Sequence, residues 1–481
     1  MLLLRRKRRA SYEIDMTSGP LLSKIIRFSI SLMLTNMLQL LYNAADLVIV
    51  GQFSETGNAV GAIGATNALT NLLVNLFIGL SVGVSVLVAR GYGKNDRQFV
   101  EKVVHTSIAV AAISGFVIMA IGLIFSRTFL QWMDTPDAII DQSVLYLSVY
   151  FIGAPFNMVY NFGASILRAT GDTKRPFYFL AVAGLANVVF NFIFVYFFHM
   201  DVAGVAIGTV VSQAISAFLV MLCLRRQQGM CRFSFRKLRI TGACFADMVK
   251  IGLPASIQSC VFSISNILIQ SSINSFDVAL SGSTTPFANG SAASASIEAF
   301  VLMSMSALYQ ASLNFTGQNY AAGQYKRVRK ILGLCIASVT VVGITLGAIC
   351  VLFGKPLLSI YIPGDAEAIG YGYRRLVILC SLYFLCGIMD VTVGQLRGLG
   401  RSFVPMCVSI GGICGLRIVW LYTIFVVYRS WEMLFFSYPV TWIITGAIHL
   451  ICYYFIQRKF PKEDEPLHRE ETIKATAKIL I

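Results

Sequence analysis

Apolar residues run through this chain in long segments separated by short polar connections. Segments of about 20–30 residues suit helices across a hydrocarbon core of roughly 30 Å, and not the alternating ten-residue strands of an outer-membrane barrel. The pattern predicts twelve helices, near 25–53, 59–90, 99–126, 138–167, 176–198, 203–224, 245–276, 287–320, 328–353, 369–396, 403–428 and 431–456. Inside the first of them the polar residues fall into register. Asn36, Gln39, Asn43 and Asp46 follow at spacings of three, four and three. On a helix they form one stripe, while Leu40, Leu41, Leu47, Val48 and Ile49 cover the other faces.

An ionised carboxylate at membrane depth costs roughly 2.5–3.5 kcal/mol on insertion scales, so an acid there faces a bundle interior or a water-filled cavity. Asp46 is therefore the leading candidate for function. The alternative is an acid that snorkels to the headgroups, because Gly51 and the helix end are close. Other helices carry amides on single faces: Asn67, Asn71 and Asn75 on the second, Asn157 and Asn161 on the fourth, and Asn187 and Asn191 on the fifth. Interhelical hydrogen bonding, worth roughly 0.6 kcal/mol per pair, explains them as well as a cavity does. The second half of the chain places Glu298 on helix 8, Asp390 on helix 10 and Arg417 on helix 11. A guanidinium at that depth needs a counter-ion, so Arg417 is expected beside Asp390 or Glu298.

Composition confirms the class. Hydrophobic residues make up 56% of the chain and charged residues only 13%, and the mean hydropathy is +0.72. This is the composition of an all-α integral membrane protein and not of a soluble domain. A net charge of +16 could point to nucleic acid, but the basic residues collect in alternate connections. They include Arg90–Lys102, Arg168–Arg175, Arg225–Arg239, Lys326–Lys330, Arg397 with Arg401, and the tail from Arg458. By the positive-inside rule both termini are cytoplasmic, and an even helix count agrees. Nucleic acid is not an expected partner; the lipid bilayer is.

The chain also repeats. The run from Tyr92 to Val104 aligns with Tyr320 to Leu332, Leu167-Arg-Ala-Thr-Gly171 with Leu396-Arg-Gly-Leu-Gly400, and Ile26–Ser31 with Val249–Pro254. Two pseudo-symmetric six-helix lobes follow, parallel in topology about an axis along the membrane normal. The expected divisions are a cytoplasmic segment 1–20, an N-terminal lobe 21–225, a basic linker 226–244, a C-terminal lobe 245–457 and a cytoplasmic tail 458–481. The linker reads as a solvated loop attracted to anionic lipid. Arg5–Arg9 followed by polar residues argues against a cleaved signal peptide, and Met16 is an alternative start.

The eleven cysteines and four histidines form no metal spacing, and no phosphate-cradling loop for ATP is present. No cofactor and no enzymatic activity are expected. A flippase for lipid-linked sugars would share the architecture but need more basic residues in its cavity, and a receptor or scaffold would not need acids in both halves.

Leu41-Tyr-Asn-Ala-Ala-Asp46 with Val50-Gly51, Leu167-Arg-Ala-Thr-Gly-Asp-Thr-Lys-Arg-Pro176, Gly252-Leu-Pro254 and Leu396-Arg-Gly-Leu-Gly400 resemble the multidrug and toxic compound extrusion (MATE) family. The similarity spans roughly Ser18 to Ile456. It implies two lobes in a V that alternate between outward and inward opening. It also implies a secondary antiporter that expels amphipathic and often cationic compounds in exchange for protons or sodium ions; the chain is expected to work in the plasma membrane as a monomer. Asp46 matches the family's coupling aspartate on the first helix, with Gln39, Asn43, Asn187 and Asn191 around it. Proton-coupled archaeal members carry an acid where this chain has Asn191. Asp390 stands near the helix 10 aspartate of another branch, whose helix 7 glutamate is replaced by Phe262. Glu298, Asp390 and Arg417 are expected to bind substrate or ion in the C-terminal lobe, and Asn36, Asn71, Asn157 and Asn161 to line the N-terminal cavity.

Overall fold

The computed structural model describes residues 12–53, 59–133, 135–279 and 285–461. The basic run Arg5–Arg9, Glu55, Asp134 and the tail beyond residue 461 lie outside them. The long helices are α1 (Leu21–Phe53), α2 (Ala59–Gly93), α3 (Arg97–Trp132), α4 (Asp137–Ile152), α5 (Ala154–Ala169), α6 (Lys174–Phe192), α7 (Asp201–Arg226), α8 (Gly242–Ala279), α9 (Pro286–Ala321) and α10 (Tyr325–Leu352). After the short α11 (Gly354–Tyr361) come α12 (Ala366–Gly398), α13 (Phe403–Ser409), α14 (Leu416–Tyr422), α15 (Ile424–Val427) and α16 (Trp431–Gln457). Among the described residues, eleven helices are long and apolar enough to cross a membrane, and twelve if α4 and α5 form one span bent by 48°. The chain is a multi-pass membrane protein.

Three predicted single helices are interrupted, one of them, residues 176–198, by a π-turn at Ile193–Phe197. Residues 138–167 divide at Gly153, because Pro155 opens α5, and a proline sits in a first turn but cannot continue the helix before it. Residues 403–428 contain a π-turn at Ile410–Gly415, which holds the weak helix formers Gly411, Gly412 and Gly415. Some helix starts are capped by side chains. Asp96 accepts from the Phe99 N–H at 3.0 Å and Asp365 from the Ala368 N–H at 2.9 Å. Asp277, in the last turn of α8, serves the fold. Its two oxygens accept the Phe287 and Ala288 N–H groups that start α9, at 2.9 and 2.8 Å.

The apolar core has two large parts and a small third one, in which Ile49 and Val50 of α1 meet Ile63, Tyr146 and Val205. One large part joins buried residues of α9, α10, α12 and α16; the other joins α2, α3, α5 and α7. Each large part also takes residues from the opposite half. Ile25, Phe28 and Leu32 of α1 lie in the C-terminal core, with Phe28 edge-on to Phe315 at 5.6 Å. Met248 and Ile251 of α8 lie in the N-terminal core. Reciprocal exchange of two helix starts ties the lobes together where the basic loops collect. Ser85 donates to Asn314 Oδ1 at 2.7 Å and Gln318 to the Ala169 carbonyl at 2.6 Å. The segment before α1 spans the same seam. Tyr92 and Gln227 donate to Glu13 at 2.7 Å each, Asn319 donates to the Met16 carbonyl at 3.0 Å, and Arg327 donates to the Gly19 carbonyl at 3.1 Å.

The repeated Leu-Arg-x-x-Gly motif is a helix stop. Gly171 (φ +93°) and Gly400 (φ +72°) take the left-handed conformation after α5 and α12. In both repeats the glycine N–H returns to the arginine carbonyl, Arg168 or Arg397, at 3.0 and 2.7 Å. The following N–H returns to Leu167 or Leu396, at 3.0 and 2.9 Å. This is the Schellman pattern, which needs a residue without a Cβ penalty. A Cβ on Gly171 would also overlap the Ile14 carbonyl. Gly171→Ala is therefore expected to cost about 1–2 kcal/mol, seen as faster loss of monodisperse protein on heating in detergent.

Candidate functional site

The Asp46 carboxylate faces α6. Its Oδ1 accepts a hydrogen bond from Asn191 Nδ2 at 2.6 Å. Asn191 is fully buried near the end of α6, one turn beyond Asn187, whose Oδ1 lies 3.5 Å from the same amide nitrogen. Asn187 Nδ2 in turn reaches Thr209 Oγ1 of α7 at 3.5 Å. The i, i+4 spacing of the two asparagines puts both on the face of α6 that meets α1 and α7. Tyr146 of α4 lies within electrostatic reach of the carboxylate.

Two features make this cluster chemically open. Among the described residues no Lys, Arg or His forms an ion pair with Asp46, so its charge has no fixed compensation. Asn191 Oδ1 is buried without a hydrogen-bond partner, which costs free energy unless something else supplies the contact. Carboxylate, amide and hydroxyl oxygens converge here, a donor set suited to a proton on the acid or to a small hard cation. Gly208 packs against that orphan oxygen, and a Cβ there would overlap it. Gly208→Ala should displace the amide at an overpacking cost of roughly 1–3 kcal/mol. The variant should therefore lose monodispersity at a lower temperature than wild type on heating in detergent.

The expected neighbours do not all join the cluster. Gln39 and Asn43 share the stripe with Asp46, but both are exposed and bond to no described residue. Gln39 is seven residues away, about 10 Å along the helix. Asn36 Nδ2 donates to the Met303 carbonyl and to Ser306 Oγ at 2.9 Å, which pins α1 to α9. Asn71 is exposed. Asn161 donates to the Asn157 carbonyl at 2.9 Å and to its side chain, and Asn157 and Gln213 both reach the Tyr150 hydroxyl.

In the C-terminal lobe the expected pairing is wrong. Glu298 is buried against Arg375, not Arg417: Oε1 and Oε2 accept from Arg375 Nε and Nη2 at 2.9 Å each. Ser294 donates to Oε1 at 2.8 Å, Ser291 accepts from Arg375 Nη1, and the guanidinium lies 5.0 Å from the Phe435 ring centre. This is a saturated bidentate pair. Arg417 instead lies 4.0 Å over the Tyr438 ring and 3.5 Å from Ser265 Oγ, with its Nε buried and unbonded. An aromatic face and a hydroxyl replace the expected carboxylate, because a cation over a desolvated ring is itself stabilised. Asp390 is half-buried on α12 and has no hydrogen-bond or ion-pair partner among the described residues. One helical turn or more beyond it, Arg397 donates to Tyr309 Oη and Gln258 Oε1 at 2.7 Å.

The arrangement defines an integral membrane protein of two helical lobes, each with a half-buried acid, Asp46 in one and Asp390 in the other. The MatE family model matches residues 31–193 and 254–423, and the chain belongs to this family of membrane transporters. It is 26% identical over 398 residues to the probable multidrug resistance protein YoeA of Bacillus subtilis, covering 81% of this chain and 84% of that one. It is 20% identical over 414 residues to the multidrug export protein MepA of Staphylococcus saprophyticus, covering 82% and 89%. The solved outward-facing conformation of a multidrug resistance MATE family transporter superimposes with a TM-score of 0.85 at 20% identity, covering 94% of this chain and 99% of that one.

Proposed function

We propose that this protein is a secondary antiporter of the plasma membrane. It would export amphipathic, cationic compounds in exchange for protons or sodium ions, with both termini in the cytoplasm, as a monomer and without a cofactor. The observation that carries the reading is the Asp46 carboxylate, bonded to Asn191 at 2.6 Å in a cluster that lacks a basic partner. A half-buried acid in that setting is stable when a proton or a cation neutralises it and costly when empty. Loading and unloading therefore favour different packings of α1 against α6. Relatives named as multidrug resistance and export proteins support the substrate class.

In this reading Asp46, Asn187, Asn191 and Thr209 hold the coupling ion, and Asn43 and Gln39 extend the stripe along which it arrives. Asn71, Asn157 and Asn161 line the N-terminal cavity. Asp390 is the C-terminal carboxylate available to a substrate cation, with Arg417 next in the same lobe. Glu298, neutralised by Arg375, acts structurally. The two openings differ in free energy only by as much as substrate and ion bind them differently. The seam spanned by Glu13, Met16, Asn319 and Arg327 closes the cytoplasmic side in this state.

Dye efflux from a transporter-deficient strain tests the reading. Efflux should stop when either the proton or the sodium gradient is collapsed, and should persist when ATP is depleted with the ion gradient clamped. Efflux that follows ATP and ignores both gradients would refute it.

A further inference from the structure

The basic linker between α7 and α8 exposes most of its side chains, as expected, yet its backbone is held in place. It closes a recess of about 580 Å³ lined by Arg97, Arg225, Arg232, Arg236 and Lys237, with Glu101 as an acidic member. That acid is already taken, because Lys237 Nζ donates to Glu101 at 2.6 Å. Arg97, Arg225, Arg232 and Arg236 have no ion pair among the described residues. The backbone around them is fixed to α3. The Ser234 N–H donates to His105 Nε2 at 3.1 Å, and the Thr241 N–H to Thr106 Oγ1 at 3.1 Å. His105 Nδ1 lies 2.7 Å from the Glu101 carbonyl. A carbonyl can only accept, so Nδ1 carries the ring proton and Nε2 is free to receive the Ser234 N–H. Cys231 and Phe233 point inward and are buried.

The outer side of the same loop is unusual for water. Phe235, Leu238 and Ile240 are 63%, 45% and 45% exposed, interleaved with Arg236, Lys237 and Arg239. Apolar side chains presented with cations, next to the end of a membrane-spanning helix, are the composition of a surface that lies in the headgroup and acyl boundary. A free anion would use the cations but leave the apolar ridge without purpose.

We propose that this recess is a headgroup site for an anionic phospholipid of the adjoining leaflet. Arg232 and Arg236 would meet the lipid phosphate, and Phe235, Leu238 and Ile240 would seat beside the acyl chains. The site rests on the linker alone and does not depend on the transport reading. Full-length protein in nanodiscs of mixed phosphatidylglycerol and phosphatidylcholine tests it, with bound lipid counted by native mass spectrometry after transfer to detergent. Wild-type protein should retain phosphatidylglycerol over phosphatidylcholine. The double variant R232Q/R236Q should lose that preference roughly tenfold or more, as expected for removal of two surface cations. F235S/L238S should lose retention of both lipids while keeping the anionic preference. Equal phosphatidylglycerol retention by wild type and R232Q/R236Q would overturn the proposal. So would displacement of the lipid by millimolar inorganic phosphate with no effect of F235S/L238S, since that would make the recess a free-anion site.

Discussion

Asp46→Asn is expected to reduce gradient-driven efflux to the level of vesicles without protein. The substitution keeps the size of the side chain and its place beside Asn191 Nδ2, 2.6 Å from the present oxygen, but an amide neither titrates nor carries the charge that attracts a cation. The variant should fold, because removing an uncompensated half-buried charge relieves a desolvation cost. Substrate binding to the purified protein should survive. What is lost is the coupling, the difference in ion affinity between the two openings that makes one flow drive the other. Transport assays in proteoliposomes with an imposed proton or sodium gradient read the loss directly, and full export by the variant would remove Asp46 from the mechanism.

Glu298→Gln should do the opposite, destabilising the fold more than it alters the ion dependence. Arg375 is 8% exposed, and both its bidentate bonds go to Glu298 at 2.9 Å. Removing one partner of such a pair leaves a buried charge alone, at about 3–5 kcal/mol. Replacing both by apolar residues of similar volume, Glu298→Met with Arg375→Leu, should recover most of that loss. Thermal inactivation of the purified variants distinguishes the cases. A stable Glu298→Gln variant with altered ion dependence would instead place Glu298 in the coupling machinery.

The fold is legible in the sequence because lipid imposes it. Long apolar runs between basic connections permit little besides spanning helices, and the repeat of Leu167–Gly171 at Leu396–Gly400 reveals the two lobes. The breaks at Gly153 and at Ile410–Gly415 are less visible, because both segments are apolar enough to read as continuous. Asp46 and Asn191 can be placed from helical spacing and the family resemblance together. Thr209 and Tyr146 cannot, since a single hydroxyl on an apolar helix gives no periodic signal.

Arg375 is the instructive miss. It lies within the tenth predicted span, but so near its start that a headgroup position is the natural assignment; the helix in fact begins at Ala366 and the side chain turns inward to Glu298. The expectation of an acid beside Arg417 rests on the principle that a buried cation needs a carboxylate. The ring of Tyr438 at 4.0 Å serves instead, and sequence does not reveal which neighbour a long side chain will choose.

The central claim is that the half-buried Asp46 carboxylate links ion and substrate in a single thermodynamic cycle. The most direct test is to add a transported dye to purified protein in weakly buffered detergent solution and follow the release of protons or of bound radioactive sodium. Wild-type protein should release one of the two on substrate addition and Asp46→Asn neither. Substrate-triggered release of equal size from both proteins would contradict the account.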